Sequence, residues 1–217
     1  MSLLKSSRDV SRWTFDRWAG FYKSSRIINW FTGQWDDHYL DMSLKEPILD
    51  LGCATGRLLG KFSNNGRREM FGFDLSRTCL RMAKHSAGDG IGFAQGYLEQ
   101  IPFRSGVFPT VILSGVLHHL EQPREAIREA ARIIKDEGTF IIGDPSFFIG
   151  LRQIVNLILS IFPVFGDRRF YTPRQVEAMA ADEGFRKKPP RLSFSFPTRP
   201  SPSRRRLVFA CEFTAAV

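Results

Sequence analysis

Ten residues, Ile48-Leu49-Asp50-Leu51-Gly52-Cys53-Ala54-Thr55-Gly56-Arg57, restrict this chain more than any other segment. An apolar run ends at a glycine, passes through small residues and opens into a helical pattern at Arg57. Such a turn lets a ligand approach the backbone closely and face the positive end of a helix. Apolar runs and helix patterns then alternate. Strands are predicted over residues 47–51, 70–74, 91–95, 110–114 and 139–143. Helices are predicted from Arg57, from a Ser76 cap through Ala83, and over residues 123–135, where Ala126, Ile127, Ala130, Ala131 and Ile134 share one face. That order predicts an α/β chain whose parallel sheet is covered on both faces.

Two nucleotide-binding alternatives fail on the turn itself. A dinucleotide fingerprint requires glycine at the first, third and sixth positions. Counted from Gly52, those positions hold glycine, Ala54 and Arg57. A P-loop fails because no Gly-Lys-Ser/Thr follows. Asp74 ends the second predicted strand, 18 residues after Gly56. A carboxylate there suits both hydroxyls of a ribose.

On these residues the sequence resembles the class I S-adenosylmethionine-dependent methyltransferases. Leu49-Asp50-Leu51-Gly52-Cys53-Ala54-Thr55-Gly56-Arg57 is similar to their first motif and Phe71-Gly72-Phe73-Asp74-Leu75-Ser76 to their second. Residues 95–103, with Tyr97-Leu98-Glu99, resemble the third, and residues 111–120, ending Val116-Leu117-His118-His119-Leu120, the fourth. Residues 131–139 resemble the approach to strand five. The lead-in Phe15-Asp16-Arg17-Trp18-Ala19-Gly20-Phe21-Tyr22 is similar to the start of ubiquinone/menaquinone-biosynthesis methyltransferases. The resemblance implies a Rossmann-like fold: a seven-stranded, mostly parallel sheet with a C-terminal antiparallel hairpin. It implies a methyltransferase domain over residues 46–217, and the aromatics Trp13, Phe15, Trp18, Phe21 and Tyr22, at roughly helical spacing, read as a helical N-terminal cap over residues 1–45. S-adenosylmethionine is the implied cofactor. Gly52, Ala54 and Gly56 would border its methionine end, Asp74 its ribose, and the Leu98 N–H its adenine. Leu113, Ser114 and Gly115 would line the floor near the reactive methyl. Asp50, Cys53, Leu75, Tyr97 and Glu99 complete the candidate cofactor set. Two positions depart from the family: Ala54 replaces the usual central glycine. Tyr97 replaces an aspartate, and its ring can stack on a base or accept through its hydroxyl.

Methyl transfer from a sulfonium draws much of its rate from holding nucleophile and methyl in line. A base is required only where the nucleophile carries an unfavourable proton. His118 and His119, after the fourth strand, and Asp144, after the fifth, are the candidate catalytic residues. No metal site is expected. Cys53, Cys79 and Cys211 are an odd, widely spaced set that reads as core packing in a reducing compartment, hence a cytoplasmic chain.

Residues 146–170 read as an apolar lid. Ile154, Leu157, Ile158, Ile161 and Phe165 share one face, with Arg152, Arg168 and Arg169 beside it. That pattern fits a buried helix, the wall of an apolar pocket, or contact with a membrane surface. It points to a small apolar or amphipathic methyl acceptor. Its longest uncharged stretch, residues 153–166, is too short to span a bilayer. The net charge is +9, and the 12 basic and 5 acidic residues from Leu151 onward carry most of it. The other functional classes are therefore a nucleic-acid-binding methyltransferase and a non-catalytic protein of the same fold. Nucleic acid is disfavoured, because the amino-methylating Asn/Asp-Pro-Pro-Tyr/Phe tetrad is absent where Ser114-Gly115-Val116-Leu117 stands. A terminal hairpin is expected from residues 191–196 and 207–213.

Overall fold

A computed structural model describes residues 7–26, 36, 39–88, 90–145, 149–161, 167–188 and 208–215. A lead-in helix α1 (Ser7–Ser24) precedes the first strand β1 (Ile48–Leu51). Then come α2 (Arg57–Asn64), β2 (Met70–Asp74), α3 (Arg77–Ser86), β3 (Gly92–Gln95) and β4 (Phe108–Ser114). A single 3-10 turn (Leu117–His119) leads to α4 (Pro123–Ile133) and β5 (Ile134–Pro145). The chain continues through α5 (Ile149–Ile161), α6 (Pro173–Asp182), β6 (Phe185–Lys187) and β7 (Val208–Ala215).

The seven strands form one sheet in the order β3-β2-β1-β4-β5-β7-β6. The first five are parallel, and β7 runs antiparallel between β5 and β6. The pleat sorts the core into two layers. Leu49, Leu51, Val111, Leu113, Phe140 and Ile142 pack on one face with α4 and α6. Ile48, Ile112 and Ile141, their strand neighbours, pack on the other with α2. Strand order reverses between β1 and β4, which opens a crevice at the carboxyl ends of the strands.

Local chemistry explains the helix starts. The Ser76 side chain accepts the Cys79 N–H at 3.0 Å. Thr172 and Gln175 form a reciprocal capping box, with Pro173 opening the helix. Asp16 on α1 reaches the same end of α3: it accepts from the Ser76 hydroxyl at 2.6 Å and the Thr78 N–H at 3.0 Å. The lead-in helix is therefore clasped to the start of α3 at Ser76, two residues after the candidate ribose carboxylate.

Three expectations change. Helix α4 ends at Ile133, and β5 starts at once, because Ile134 already pairs with Phe108 before the register shifts. The first strand of the terminal hairpin is Phe185–Lys187, whose Phe185 ring lies 4.7 Å from Phe140. Residues 191–196, where that strand was expected, lie outside the described residues. On α5, Ile154, Leu157 and Ile158 are 58%, 64% and 50% exposed, so the buried-helix reading does not hold for this face. Asn156 fastens the helix to the following segment, donating to the Phe170 carbonyl and accepting its N–H. Ile161 and Phe165 lie outside the described side chains. Among the described residues, no helix is long and apolar enough to cross a membrane.

Candidate active site

The turn after β1 is tied to β2: the Gly52 and Cys53 N–H groups both donate to the Phe73 carbonyl, at 2.7 and 3.1 Å. Gly52 has φ +74°, and a Cβ there would stand 2.4 Å from Val116 Cγ2. Gly56 has φ +76°, and its Cβ would meet Ala83 at 2.8 Å. Between them Ala54 adopts φ 45°, a left-handed conformation costing an L residue about 1 kcal/mol. The family's glycine would be free of that strain, yet the alanine backbone is fully used: its N–H donates to Asp74 Oδ2 at 2.8 Å.

Asp74 is held from two sides. Its other oxygen, Oδ1, accepts the Ser76 N–H, also at 2.8 Å. Each oxygen retains accepting capacity, which is what two vicinal hydroxyls would require. Burial pushes its carboxyl up to about 6, against the pull of those N–H bonds. Asp50 lies behind it on β1, buried, and burial together with the Asp74 charge pushes it up to about 7. Asp16, by contrast, is held below the usual carboxylate range: its partial burial is outweighed by the hydrogen bonds from Ser76 and Thr78.

Around this carboxylate lies a cavity of about 220 Å³ walled by the loops that leave four neighbouring strands. Asp50, Gly52, Cys53, Ala54, Thr55 and Arg57 come from β1 and its turn, and Asp74 and Leu75 from β2. Gly96, Tyr97, Leu98 and Glu99 follow β3; Ser114, Gly115, Val116, His119, Leu120 and Glu121 follow β4. Phe15 of α1 and Asp36 complete the wall. The structure thus gathers every candidate cofactor residue but two: Leu113 is buried in the core, and Gly56 packs α2 against α3, where only glycine fits.

The candidate catalytic residues divide. His119 faces the cavity, whereas His118 and Asp144 form a buried pair away from it, with Nδ1 and Oδ1 2.8 Å apart. Burial opposes protonation of His118, but the Asp144 charge and hydrogen bond outweigh it and raise its pKa. Burial and the neighbouring His118 lower that of His119. Cys53 is buried, and burial raises its thiol far above the ordinary value, as befits a packing residue.

Some wall residues carried no motif signal. Asp36 forms a buried ion pair with Arg57 and stands 3.3 Å from Lys61. Burial lowers Arg57 to about 10. Arg57 adjoins the turn motif and could have been suspected; Asp36 could not. Tyr39 lies within hydrogen-bond distance of the Ser114 hydroxyl, 3.2 Å away, and braces the loop after β4.

Residues 49–142 match the family described as Methyltransferase domain. Over this stretch, less than half of the chain, the sequence is similar to that family. A protein of Mycobacterium tuberculosis is 32% identical over 145 residues, covering 65% of this chain and 47% of the relative. The chain thus spans about half the length of that curated relative. Among solved structures, the magnesium protoporphyrin IX methyltransferase of Synechocystis, with S-adenosylhomocysteine bound, is similar at TM-score 0.71 and 19% identity. The alignment covers 97% of this chain and all of that one. YcgJ of Bacillus subtilis is similar at TM-score 0.66 and 17% identity, over 87% of this methyltransferase-fold chain and 99% of YcgJ.

Proposed function

We propose that this chain transfers a methyl group from S-adenosylmethionine to a small apolar or amphipathic molecule. The observation that carries the reading is the carboxylate of Asp74, held by the Ala54 and Ser76 N–H groups on the wall of a cavity at the sheet's carboxyl edge. S-adenosylhomocysteine bound to the structurally similar Synechocystis enzyme supports the same cofactor class here. In this reading Asp74 accepts from the ribose hydroxyls, and the Leu98 N–H meets the adenine beside the Tyr97 ring. The turn at Gly52 and Ala54 borders the methionine end. The acceptor then stands by Ser114 and Gly115, with His119 placed to take a proton from it. Residues 1–45 act as a cap, since Phe15 of α1 already closes part of the wall. Three buried free thiols suit a reducing compartment and support a cytoplasmic location.

Calorimetric titration with S-adenosylmethionine, S-adenosylhomocysteine and NADH tests the cofactor reading. Micromolar binding of the first two and none of the third is expected; a folded sample that ignores all three overturns it.

The carboxyl chemistry sets opposite pH trends for binding and folding. Below about pH 6 Asp74 gains a proton and loses accepting capacity. Cofactor affinity should then fall up to about tenfold per unit of further acidification. Folding stability runs the other way. The folded-state pKa values of Asp50 and Asp74 are raised to about 7 and about 6, so the native chain holds protons that the unfolded chain has released. Their contribution is full below the ordinary carboxylate pKa and is lost as pH rises through 6 to 7. The unfolding free energy from denaturant titration should therefore rise between pH 7.5 and pH 5, by about 4 kcal/mol from these two groups, in the range where calorimetric affinity declines.

The exposed apolar side chains of α5, with Arg152 on the same helix and Arg169 nearby, support contact with an anionic membrane surface as the route to such an acceptor. Co-sedimentation with phosphatidylglycerol vesicles, reduced severalfold by Leu157→Glu, is the expected outcome. Indifference to these vesicles would remove the membrane from the reading.

A further inference from the structure

The 3-10 turn after β4 brings two imidazoles against a second carboxylate, and the Asp144 pair explains only half of that arrangement. His118 Nε2 lies 3.7 Å from Asp167 Oδ1, and His119 Nδ1 lies 2.9 Å from the same oxygen. One ligand atom from each of the three residues falls within 4.8 Å of the others. The buried His119 Nδ1 faces Asp167 at close range but without ideal hydrogen-bond geometry. His118 Nδ1 is committed to Asp144, a fully buried acid, 2.8 Å away. With its hydrogen on that nitrogen, His118 turns a lone pair from Nε2 toward Asp167. Two nitrogens and a carboxylate then converge within 4.8 Å of one another, with a His118 lone pair facing the acid. A cation is the species that such a set would accommodate.

We propose that His118, His119 and Asp167 form a binding site for a divalent transition-metal ion of the zinc type. Two imidazoles with one carboxylate suit borderline ions such as Zn²⁺, whereas Mg²⁺ and Ca²⁺ favour oxygen donors. Two carboxylates, Asp167 in the set and Asp144 behind it, balance the ion's double charge when both histidines are neutral. Asp144 has the role that outer carboxylates commonly have: it fixes the tautomer and the orientation of a ligating histidine.

The scaffold holds the donors in place. The His118 carbonyl accepts the Arg168 and Arg169 N–H groups at 2.7 and 3.2 Å, pinning the segment that carries Asp167 to the turn. The Phe170 ring stacks on His118 with centroids 5.0 Å apart, and Phe15 meets His119 edge-on at the same distance. Bonds of about 2.1 Å require the three donors to close by a modest side-chain rotation. Three protein ligands are the usual complement of a zinc site that keeps one position open for water or substrate. His119 also lies on the cavity wall, so that position would serve an acceptor with an oxygen or sulfur nucleophile. The ion would lower the pKa of that group, and His119 would act as a ligand in place of a free base. This extension to the acceptor rests on the methyltransferase reading; the ion site itself does not.

The test reads metal binding alone. Chain stripped with a chelator is titrated with Zn²⁺, and with Co²⁺ as a visible-absorbing substitute. One ion per chain with micromolar or tighter affinity is expected, with a Co²⁺ spectrum free of the intense near-ultraviolet band of thiolate ligation. Asp167→Asn, at a partly exposed position, should weaken binding at least tenfold, as should His119→Gln. Asp144→Asn should weaken it about 10- to 100-fold, and His85→Gln on α3 should leave it unchanged. Circular dichroism confirms that each variant is folded. Absence of stoichiometric binding, a thiolate band, or full affinity in Asp167→Asn and His119→Gln overturns the proposal. Failure to bind S-adenosylmethionine with Zn²⁺ binding intact would count against the cofactor reading alone.

Discussion

Replacement of Asp74 by alanine should reduce S-adenosylmethionine affinity by at least about 100-fold, measured by calorimetry at pH 7.5. A hydrogen bond to a charged group contributes about 1.5–3 kcal/mol, and the carboxylate is positioned for two ribose hydroxyls. The same substitution should change stability far less. It orphans the Ala54 and Ser76 N–H groups, but it also removes a carboxyl that burial has pushed up to about 6. These effects oppose each other, so the unfolding midpoint should move little while binding collapses. Retained affinity in a folded Asp74→Ala protein would mean that the cavity does not hold a ribose against this residue.

Gly52→Ala should be the most damaging single change in the turn. The position has φ +74°, and the new Cβ would fall 2.4 Å from Val116 Cγ2. Left-handed strain costs about 1–2 kcal/mol, and overpacking typically adds about 1–3 kcal/mol. A loss of about 3 kcal/mol in urea unfolding is expected, together with loss of cofactor binding, because the methyl enters the cavity wall. Val116→Ala in the same chain should recover the steric part but not the strain. A double variant no more stable than Gly52→Ala would show that the clash is relieved elsewhere, by movement of the loop after β4.

What was legible in the sequence was mostly what a single segment encodes. The run from Ile48 to Arg57 carries strand, turn and helix start in ten consecutive residues, and the structure folds it that way. Apolar runs located β4, which is buried on both faces of a parallel sheet, and β2, which is buried apart from Phe71 and Asp74. Contacts between distant segments were not legible. The pairing of Asp36 with Arg57 joins residues whose local patterns are unrelated. Strand β6 has three residues, too few for alternation to register, and it is fixed by Phe185 packing on Phe140 and Phe213. The split between His118, paired with buried Asp144, and His119, on the cavity wall, depends on partners distant in sequence. Periodicity grouped Ile154, Leu157 and Ile158 on one face of α5, but it cannot say whether anything covers that face.

The place of β7 in the sheet bears on how the chain is made. It is the last described strand to leave the ribosome, yet it lies inside the sheet, between β5 and β6. The four strands that surround the cavity, β3, β2, β1 and β4, can pair during synthesis without it. Until β7 arrives, β5 presents a bare edge of seven residues, Thr139 to Pro145, and β6 has no partner strand. An open edge of that length invites pairing with other chains. Nascent molecules would therefore be most prone to aggregate in the interval when the cavity is already formed and only the closing strand is missing.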